Sequence, residues 1–506
     1  MPARPLLVVP VPLAAVAAEL GAAPPTTTEA VVSGVALSSG SVRPGDVYAA
    51  LPGARTHGAH FAAAAVEAGA VAVVTDAEGL ALLTATSVPV LVTDTPRARL
   101  GRLAALVYGH PAESFTLIGV TGTQGKTTTC QLMAAAAQAA GRRAAVIGTM
   151  GTVVDGRAVV SSLTTPEAPD LHALFAVMRE QGVELCAMEV SSHALVMGRV
   201  DGVVFDLAVF TNFGRDHLDF HADVEDYFAA KAELFTPRRA RRALVNLDDP
   251  ALTPLVEAPG VATRTFSSTS GPADWTAHDV RMSPGASTFT LRGPRGLELG
   301  ASTQLPGRFN VDNALGAIAA VAEVGAAVDA AVAGVSSVAA VPGRMERIDD
   351  GRSFRVVVDY AHKPDALAAA LRALRESATG RLLVVLGAGG DRDQGKRPVM
   401  GGIAAELADV VVVTDDNPRT EDAATIRAAV RSGARDVEGS ELLEIGNRRE
   451  AIRRALQLAR PGDTVLIAGK GHETGQEVAG TVHPFDDREM VRSLLAELAQ
   501  RREPWP

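Results

Sequence analysis

The feature that most restricts the fold of this chain is the loop Gly119-Val-Thr-Gly-Thr-Gln-Gly-Lys-Thr-Thr-Thr129, which continues the apolar run from Phe115 and leads into an Ala-rich helical pattern from Cys130 to Ala140. An apolar strand that enters a helix through a tight turn of small residues belongs in a parallel α/β sheet. The small residues let backbone N–H groups turn inward around phosphate oxygens, Lys126 supplies a point charge, and the helix N-terminus favours an anion. Thr127 is placed to hold Mg2+ through its hydroxyl. One extra residue separates Gly119 from Gly125 relative to the strict Gly-x4-Gly-Lys-Thr spacing, whereas Gly122-x-x-Gly-Lys-Thr is intact. The chain is therefore expected to use a nucleoside triphosphate, cradled by Gly122, Thr123, Gln124, Gly125, Lys126, Thr127 and Thr128.

A chain of 506 residues exceeds one hydrophobic core, and a prior of roughly 150 residues per domain suggests about three. Residues 1–110 read as a small mixed α/β N-terminal domain. Residues 111–341 read as a central P-loop ATPase-like domain with a parallel sheet, and 342–506 as a C-terminal Rossmann-like α/β domain. In the last two, near-continuous apolar strands alternate with helices. A net charge of −10 argues against a nucleic-acid partner, and Arg238-Arg-Ala-Arg-Arg242 reads as a solvated loop or helix face. Cys130 and Cys186 lie in apolar segments without ligand spacing, as buried thiols of a reducing compartment do. Arg4 and the apolar Leu6–Ala18 imitate a secretory signal, but Pro10 and Pro12 interrupt it. The reading is a short strand, then a helix from Leu13 to Leu20 closed by Gly21, in a cytoplasmic enzyme. No apolar run approaches the ~20 residues of a membrane span.

Four strands of the last domain, Phe354–Val358, Leu382–Leu386, Val410–Val413 and Thr464–Ala468, each end in a polar cluster. These are Asp359-Tyr-Ala-His-Lys-Pro364, Gly387-Ala-Gly-Gly-Asp-Arg-Asp393, Asp415-Asp-Asn-Pro-Arg419 and Gly469-Lys-Gly-His-Glu473. Ligands bind at the carboxyl ends of strands in open α/β sheets, so the clusters are expected to form one binding edge. In the central domain Glu189 ends a strand and His217 follows the next. Both could converge with Thr127 on Mg2+ bridging ATP phosphates. His57-Gly-Ala-His60 lacks further ligands and reads as turn chemistry with backbone contact to a ligand.

Taken in order, Thr-Gly-Thr-Gln-Gly-Lys-Thr-Thr, Thr164-Thr-Pro166, Met188-Glu-Val-Ser-Ser-His193, Asp216-His-Leu-Asp-Phe-His221, Tyr227-Phe-Ala-Ala-Lys-Ala-Glu-Leu-Phe235, Gly307-Arg-Phe-Asn-Val-Asp-Asn313 and Pro342-Gly-Arg344 resemble the Mur ligases of peptidoglycan synthesis. The resemblance covers nearly the whole chain. It implies an ATP- and Mg2+-dependent amide ligase that passes through an acyl phosphate, with Asn310, Arg344 and Asp359 at the nucleotide. It also implies that Lys231, which local chemistry reads as a surface helix residue, is carbamylated and joins Thr127, Glu189 and His217 at the metal. Lys126, Glu189, His217 and Lys231 are the implied catalytic set.

Asp416-Asn-Pro-Arg419 resembles the motif of Mur ligases that add diaminopimelate to UDP-N-acetylmuramoyl-L-alanyl-D-glutamate. Diaminopimelate carries a second carboxylate beside its distal amine, which calls for a guanidinium fork, an amide and an acid. On this resemblance Arg392, Asp416, Asn417, Pro418, Arg419, Gly469 and Glu473 line the amino-acid pocket. Leu37, Ser39, His57, Thr164, Thr165, Ser191 and Arg199 would meet the UDP-sugar. Ser38-Ser-Gly40, Leu163 and Met197 depart from residues common in relatives. The expected partners are these small molecules, with the chain acting as a monomer. Two other readings stay open: a related Mur or folylpolyglutamate-type ligase that adds lysine or ornithine, and a nucleotide-gated binding protein that ligates nothing.

Overall fold

The computed structural model describes residues 3–500 except 25–28, 54, 84–85, 160–162, 259, 270, 284 and 349–350. Its three main sheets draw their strands from successive segments of the chain. The first holds four parallel strands, Gly34–Ala36, Asp46–Ala49, Ala72–Thr75 and Val90–Val92, in chain order. Ahead of it, Val11–Pro12 pairs with Val31–Val32, and the helix Leu13–Leu20 buries Leu13, Val16, Ala17 and Leu20. That i, i+3, i+4, i+7 spacing is one helical face. Gly21, at φ +63°, ends the helix with its N–H on Ala18 O, a left-handed turn that glycine adopts at little cost.

The central sheet has eleven strands. Seven are parallel, in the order Ala144–Gly148, Leu185–Glu189, Thr116–Thr121, Leu207–Phe210, Arg242–Asn246, Ala262–Ser267 and Trp275–Ser283. Ile118 and Val120 point into one core with the helices Lys126–Ala139, Arg308–Glu323 and Val328–Ser337, and Leu117 points into the other with the helix Ala168–Glu180. Antiparallel strands widen the sheet beyond the expected parallel core. Gly151–Val154 and Arg157–Val159 flank one side, and Ala286–Gly293 and Leu297–Thr303 the other. These strands alternate; in Ala286–Gly293 only Ser287, Phe289 and Leu291 are buried. A half-solvated antiparallel strand lacks the continuous apolar run by which buried parallel strands are found.

The third sheet runs Glu346–Arg347, Arg355–Asp359, Thr464–Ala468, Leu382–Leu386, Val410–Val413 and Glu441–Glu444, parallel except for its first strand. The four strands with polar ends are contiguous, so their clusters share one edge. Two local readings change. Arg239 is buried against Asp201 and Val200 O instead of solvated, and Lys231 is 1% exposed because its helix, Val224–Ala232, turns that residue inward under the phosphate loop. Cys130 and Cys186 are buried free thiols. No helix among the described residues is long and apolar enough to cross a membrane.

Candidate active site

The phosphate loop is held open from behind. Thr211 and Asn212, at the end of the neighbouring strand, bond Gln124 O at 2.6 and 3.1 Å, and Asn212 Oδ1 accepts from Gln124 N at 2.9 Å. Lys126 Nζ folds back onto Gly122 O at 2.7 Å, and Lys231 Nζ reaches the same carbonyl at 2.9 Å. Burial brings the Lys126 ammonium down to about 8 and pushes Lys231 well below the usual lysine range, the charges of Lys126 and Lys363 adding to it. Burial thus favours the neutral amine form of Lys231 over the ammonium. Gly125 has φ +82°, and a Cβ there would lie 2.4 Å from Asn313 Oδ1. Gly125→Ala is expected to raise the ATP requirement about tenfold, through left-handed strain and that clash. Gly141, at φ +77° with nothing within 4 Å of a Cβ, is the control: its Ala variant loses stability but leaves ATP titrations unchanged.

The loop opens into a cavity of about 550 Å3 lined by Thr123 to Thr129, Thr164, Glu189, Ser191, Arg199, His217, Asn310, Arg344 and Asp359, among others. Glu189, 1% exposed, takes the N–H and hydroxyl of Thr149 at 2.9 and 3.1 Å. His217 Nε2 lies 3.0 Å from Asp216 Oδ2. Burial lowers the imidazole to about 3; burial alone would raise Asp216, but the Lys363 and His217 charges hold it below its ordinary value. A neutral His217 that donates from Nε2 keeps its lone pair on Nδ1. Lys363, from the third sheet, closes an ion pair with Asp216 across the cavity. Arg344 also crosses over, with Nη2 3.1 Å from Thr127 Oγ1 and its guanidinium 4.5 Å above the Tyr360 ring. Asp359 accepts from Met345 N and Ala361 N at 2.7 and 2.9 Å, and burial raises its carboxyl despite Arg344. Asn310 bonds Pro306 O and Asn313 at 2.7 and 2.9 Å.

A second cavity, of about 740 Å3, is lined by Arg392, Asp416, Asn417, Arg419, Gly469 and Glu473. It shares Thr164, His193, His217, Tyr360, His362, Lys363 and Arg392 with the first. Asn417 Nδ2 donates to Glu473 at 2.9 Å, and Arg419 bonds Gly390 O at 2.6 Å and lies 3.3 Å from Glu477. Pro418 is outside the lining; its carbonyl faces Gly390, where a Cβ would come within 1.9 Å.

The residues expected at the UDP-sugar divide into two groups. Thr164, Ser191 and Arg199 line the first cavity. Thr165 sits behind them, bonded to Glu189 O at 2.9 Å, and Arg199 is tied to Glu167 at 2.9 Å and Thr165 O at 3.3 Å. Leu37, Ser39 and His57 instead follow strands of the first sheet and line neither cavity. His57 caps its own turn, with Nδ1 accepting from Ala59 N at 3.0 Å and Nε2 3.2 Å from Asp76, so any ligand contact from this loop falls to the backbone.

Three family models match the chain: "Mur ligase family, catalytic domain" over residues 31–108, "Mur ligase middle domain" over 120–321, and "Mur ligase, glutamate ligase domain" over 343–471. The UDP-N-acetylmuramoyl-L-alanyl-D-glutamate--2,6-diaminopimelate ligase of Streptomyces avermitilis is 52% identical over 500 residues, 98% of each chain. The chain belongs to the Mur ligase family. A solved structure bearing that same enzyme name is 35% identical, with a TM-score of 0.65 over 93% of this chain and 96% of that one. The MurF ligase from Thermotoga maritima in complex with ADP shares the Mur ligase fold at 20% identity, with a TM-score of 0.66 over 94% of this chain and 100% of that one.

In this Mur ligase several residues in or directly behind the two cavities have no role assigned from sequence. Lys363 and Lys470 lay inside the polar clusters, and only their neighbours were given contacts. Thr149, which holds Glu189, carries no motif signal, because its place depends on a strand pairing of Ala144–Gly148 with Leu185–Glu189.

Proposed function

We propose that this Mur ligase is an ATP-dependent, ADP-forming enzyme that joins 2,6-diaminopimelate to UDP-N-acetylmuramoyl-L-alanyl-D-glutamate in peptidoglycan precursor synthesis. The observation that carries this reading is the shared wall of the two cavities, with a phosphate loop in one and Asp416, Asn417, Arg419 and Glu473 in the other. An acyl phosphate formed in the first would be reached by an amine held in the second without release to water.

A carboxylate acylates poorly because its leaving group would be oxide. In the proposed reaction an oxygen of the dipeptide carboxylate bonds the γ-phosphorus, the bond to the β-phosphate oxygen breaks, and ADP leaves. Lys126, Arg344 and the loop N–H groups bear the phosphate charge. The ammonium of diaminopimelate loses a proton and the amine attacks the acyl carbon; the tetrahedral adduct gives up a second proton from nitrogen, expels phosphate, and the amide remains. Thr127, Glu189 and His217 line one cavity, a mixed oxygen and imidazole set that fits a divalent cation bound mostly through phosphate oxygens and water. No group of three or more His, Cys, Asp and Glu suited to a metal occurs among the described residues, so protein carboxylates alone do not make the site. A carbamate on Lys231 would add the missing anionic oxygens. Mg2+ there would neutralise and align the phosphates. The Thr164, Ser191 and Arg199 side of the first cavity is read as the path of the muramoyl dipeptide, with its uridine end toward Leu37, Ser39 and His57. One chain supplies both cavities, in keeping with a monomer, and its use of ATP places it in the cytoplasm.

Phosphate release measured with ATP, the UDP-linked dipeptide and, in turn, diaminopimelate, lysine or ornithine is expected to be fastest with diaminopimelate. Release that ignores the amine would make the protein a nucleotide-gated ATPase, and faster release with lysine would overturn the amino-acid assignment.

A further inference from the structure

Lys470 is fully buried at 0% exposure and lines neither cavity, yet it lies directly behind the second one. Its Nζ donates to Asn417 Oδ1 and to Glu473 Oε2, both at 3.0 Å, and lies 3.7 Å from Asp416. The backbone N–H of Glu477 donates to the same Asn417 Oδ1 at 3.0 Å. Asn417 Nδ2 in turn donates to Glu473 at 2.9 Å. The carbonyl edge of the Asn417 amide is thus saturated by two protein donors, one of them charged. The flipped amide would set its NH2 against an ammonium and an N–H, donor against donor, and would forfeit the bond to Glu473.

We propose that Lys470 is a positioning residue that determines amino-acid specificity, by fixing Asn417 with its NH2 edge toward the cavity and holding the Glu473 carboxylate beside it. This rests on the diaminopimelate reading above. The distal end of diaminopimelate is a carboxylate beside an ammonium. It needs donors next to an acceptor, which Arg419 and the second N–H of Asn417 Nδ2 supply beside Glu473. An amide turned the other way would present its carbonyl to the carboxylate and repel it. Lysine has no distal carboxylate, so it gains nothing from the fixed amide.

The test is steady-state phosphate release by the full-length enzyme with Lys470→Met, and with Lys470→Gln, which keeps a neutral donor and is the safer variant to fold. Lys470→Met is expected to raise the KM for diaminopimelate about ten- to thirtyfold and to narrow the kcat/KM preference for diaminopimelate over lysine. The KM for ATP and for the UDP-linked dipeptide should stay within about twofold. Lys470→Gln should shift in the same direction by less. Adding Asn417→Ala to Lys470→Met should cost less than it does alone, because both remove one device. A diaminopimelate KM within twofold of wild type in both variants overturns the proposal, as does an equal rise in the KM for ATP, which marks a merely structural lysine. Wild-type enzyme without diaminopimelate-dependent release overturns this proposal and the activity reading together; a diaminopimelate-dependent wild type with unaffected variants overturns this proposal alone.

Discussion

Replacing Lys231 by Ala is expected to lower kcat by about a hundred- to a thousandfold, the scale of losing one preorganised electrostatic group at a phosphoryl-transfer site. The side chain is buried beneath the phosphate loop, 2.9 Å from Gly122 O and 4.7 Å from the Tyr227 ring centroid. Burial, with Lys126 and Lys363 nearby, pushes its ammonium well below the usual lysine range and so favours loss of the proton. A neutral amine is the form that bonds the carbon of CO2; it then releases a proton and becomes a carbamate anion. That anion would offset the neighbouring charges of Lys126 and Lys363, which makes the modification self-consistent in this setting. Short carboxylic acids added to the Ala variant should restore part of the rate by filling the vacated volume with an anionic oxygen pair. Stripping dissolved CO2 from wild-type assays should slow the enzyme in parallel. Full activity of Lys231→Ala, or of Lys231→Met, which keeps the volume, would remove Lys231 from the site.

The second large effect concerns Arg419. Arg419→Ala should raise the KM for diaminopimelate about ten- to a hundredfold, the worth of one charge-assisted contact of roughly 1.5–3 kcal/mol, with little change for ATP. Arg419 sits at φ +51°, and Ala carries the same Cβ into that left-handed backbone, so the substitution leaves the strain as it was and removes only the guanidinium. Its bonds to Gly390 O and Glu477 orient the fork and join the strand ends around the second cavity. Arg419→Lys keeps the charge and loses the planar fork, so it should recover little. Equal damage to the ATP and diaminopimelate constants would show that Arg419 supports the loop instead of meeting the substrate.

Much of the molecule was legible in the chain because its chemistry is local. Strand, small-residue loop, Gly-Lys-Thr and helix identify a phosphate cradle within about a dozen residues, and buried parallel strands announce themselves as apolar runs. The runs Leu382–Leu386, Val410–Val413 and Thr464–Ala468 are strands with those same bounds. The edge strands from Ala286 to Thr303 escaped because one face is solvated and their pattern is diluted by Thr, Arg and Gly. Local chemistry alone reads Lys231 as a surface residue, and only the family resemblance put it at the site, because its helix is short and polar on most sides and nothing in nine residues says which side meets the phosphate loop.

The sequence by itself determined the class of chemistry: the loop pattern of a phosphate cradle, a parallel α/β architecture, and a set of polar strand ends expected to share one binding edge. Only the tertiary structure decided which charges are buried and which partners they keep. It put Lys231 under Gly122, set Lys363 against Asp216 from another sheet, and placed Lys470 behind Asn417 and Glu473. The physical reason is that a phosphate loop is set by backbone torsions over adjacent residues, whereas the state of a buried amine depends on desolvation and on charges contributed by strands and loops distant in sequence.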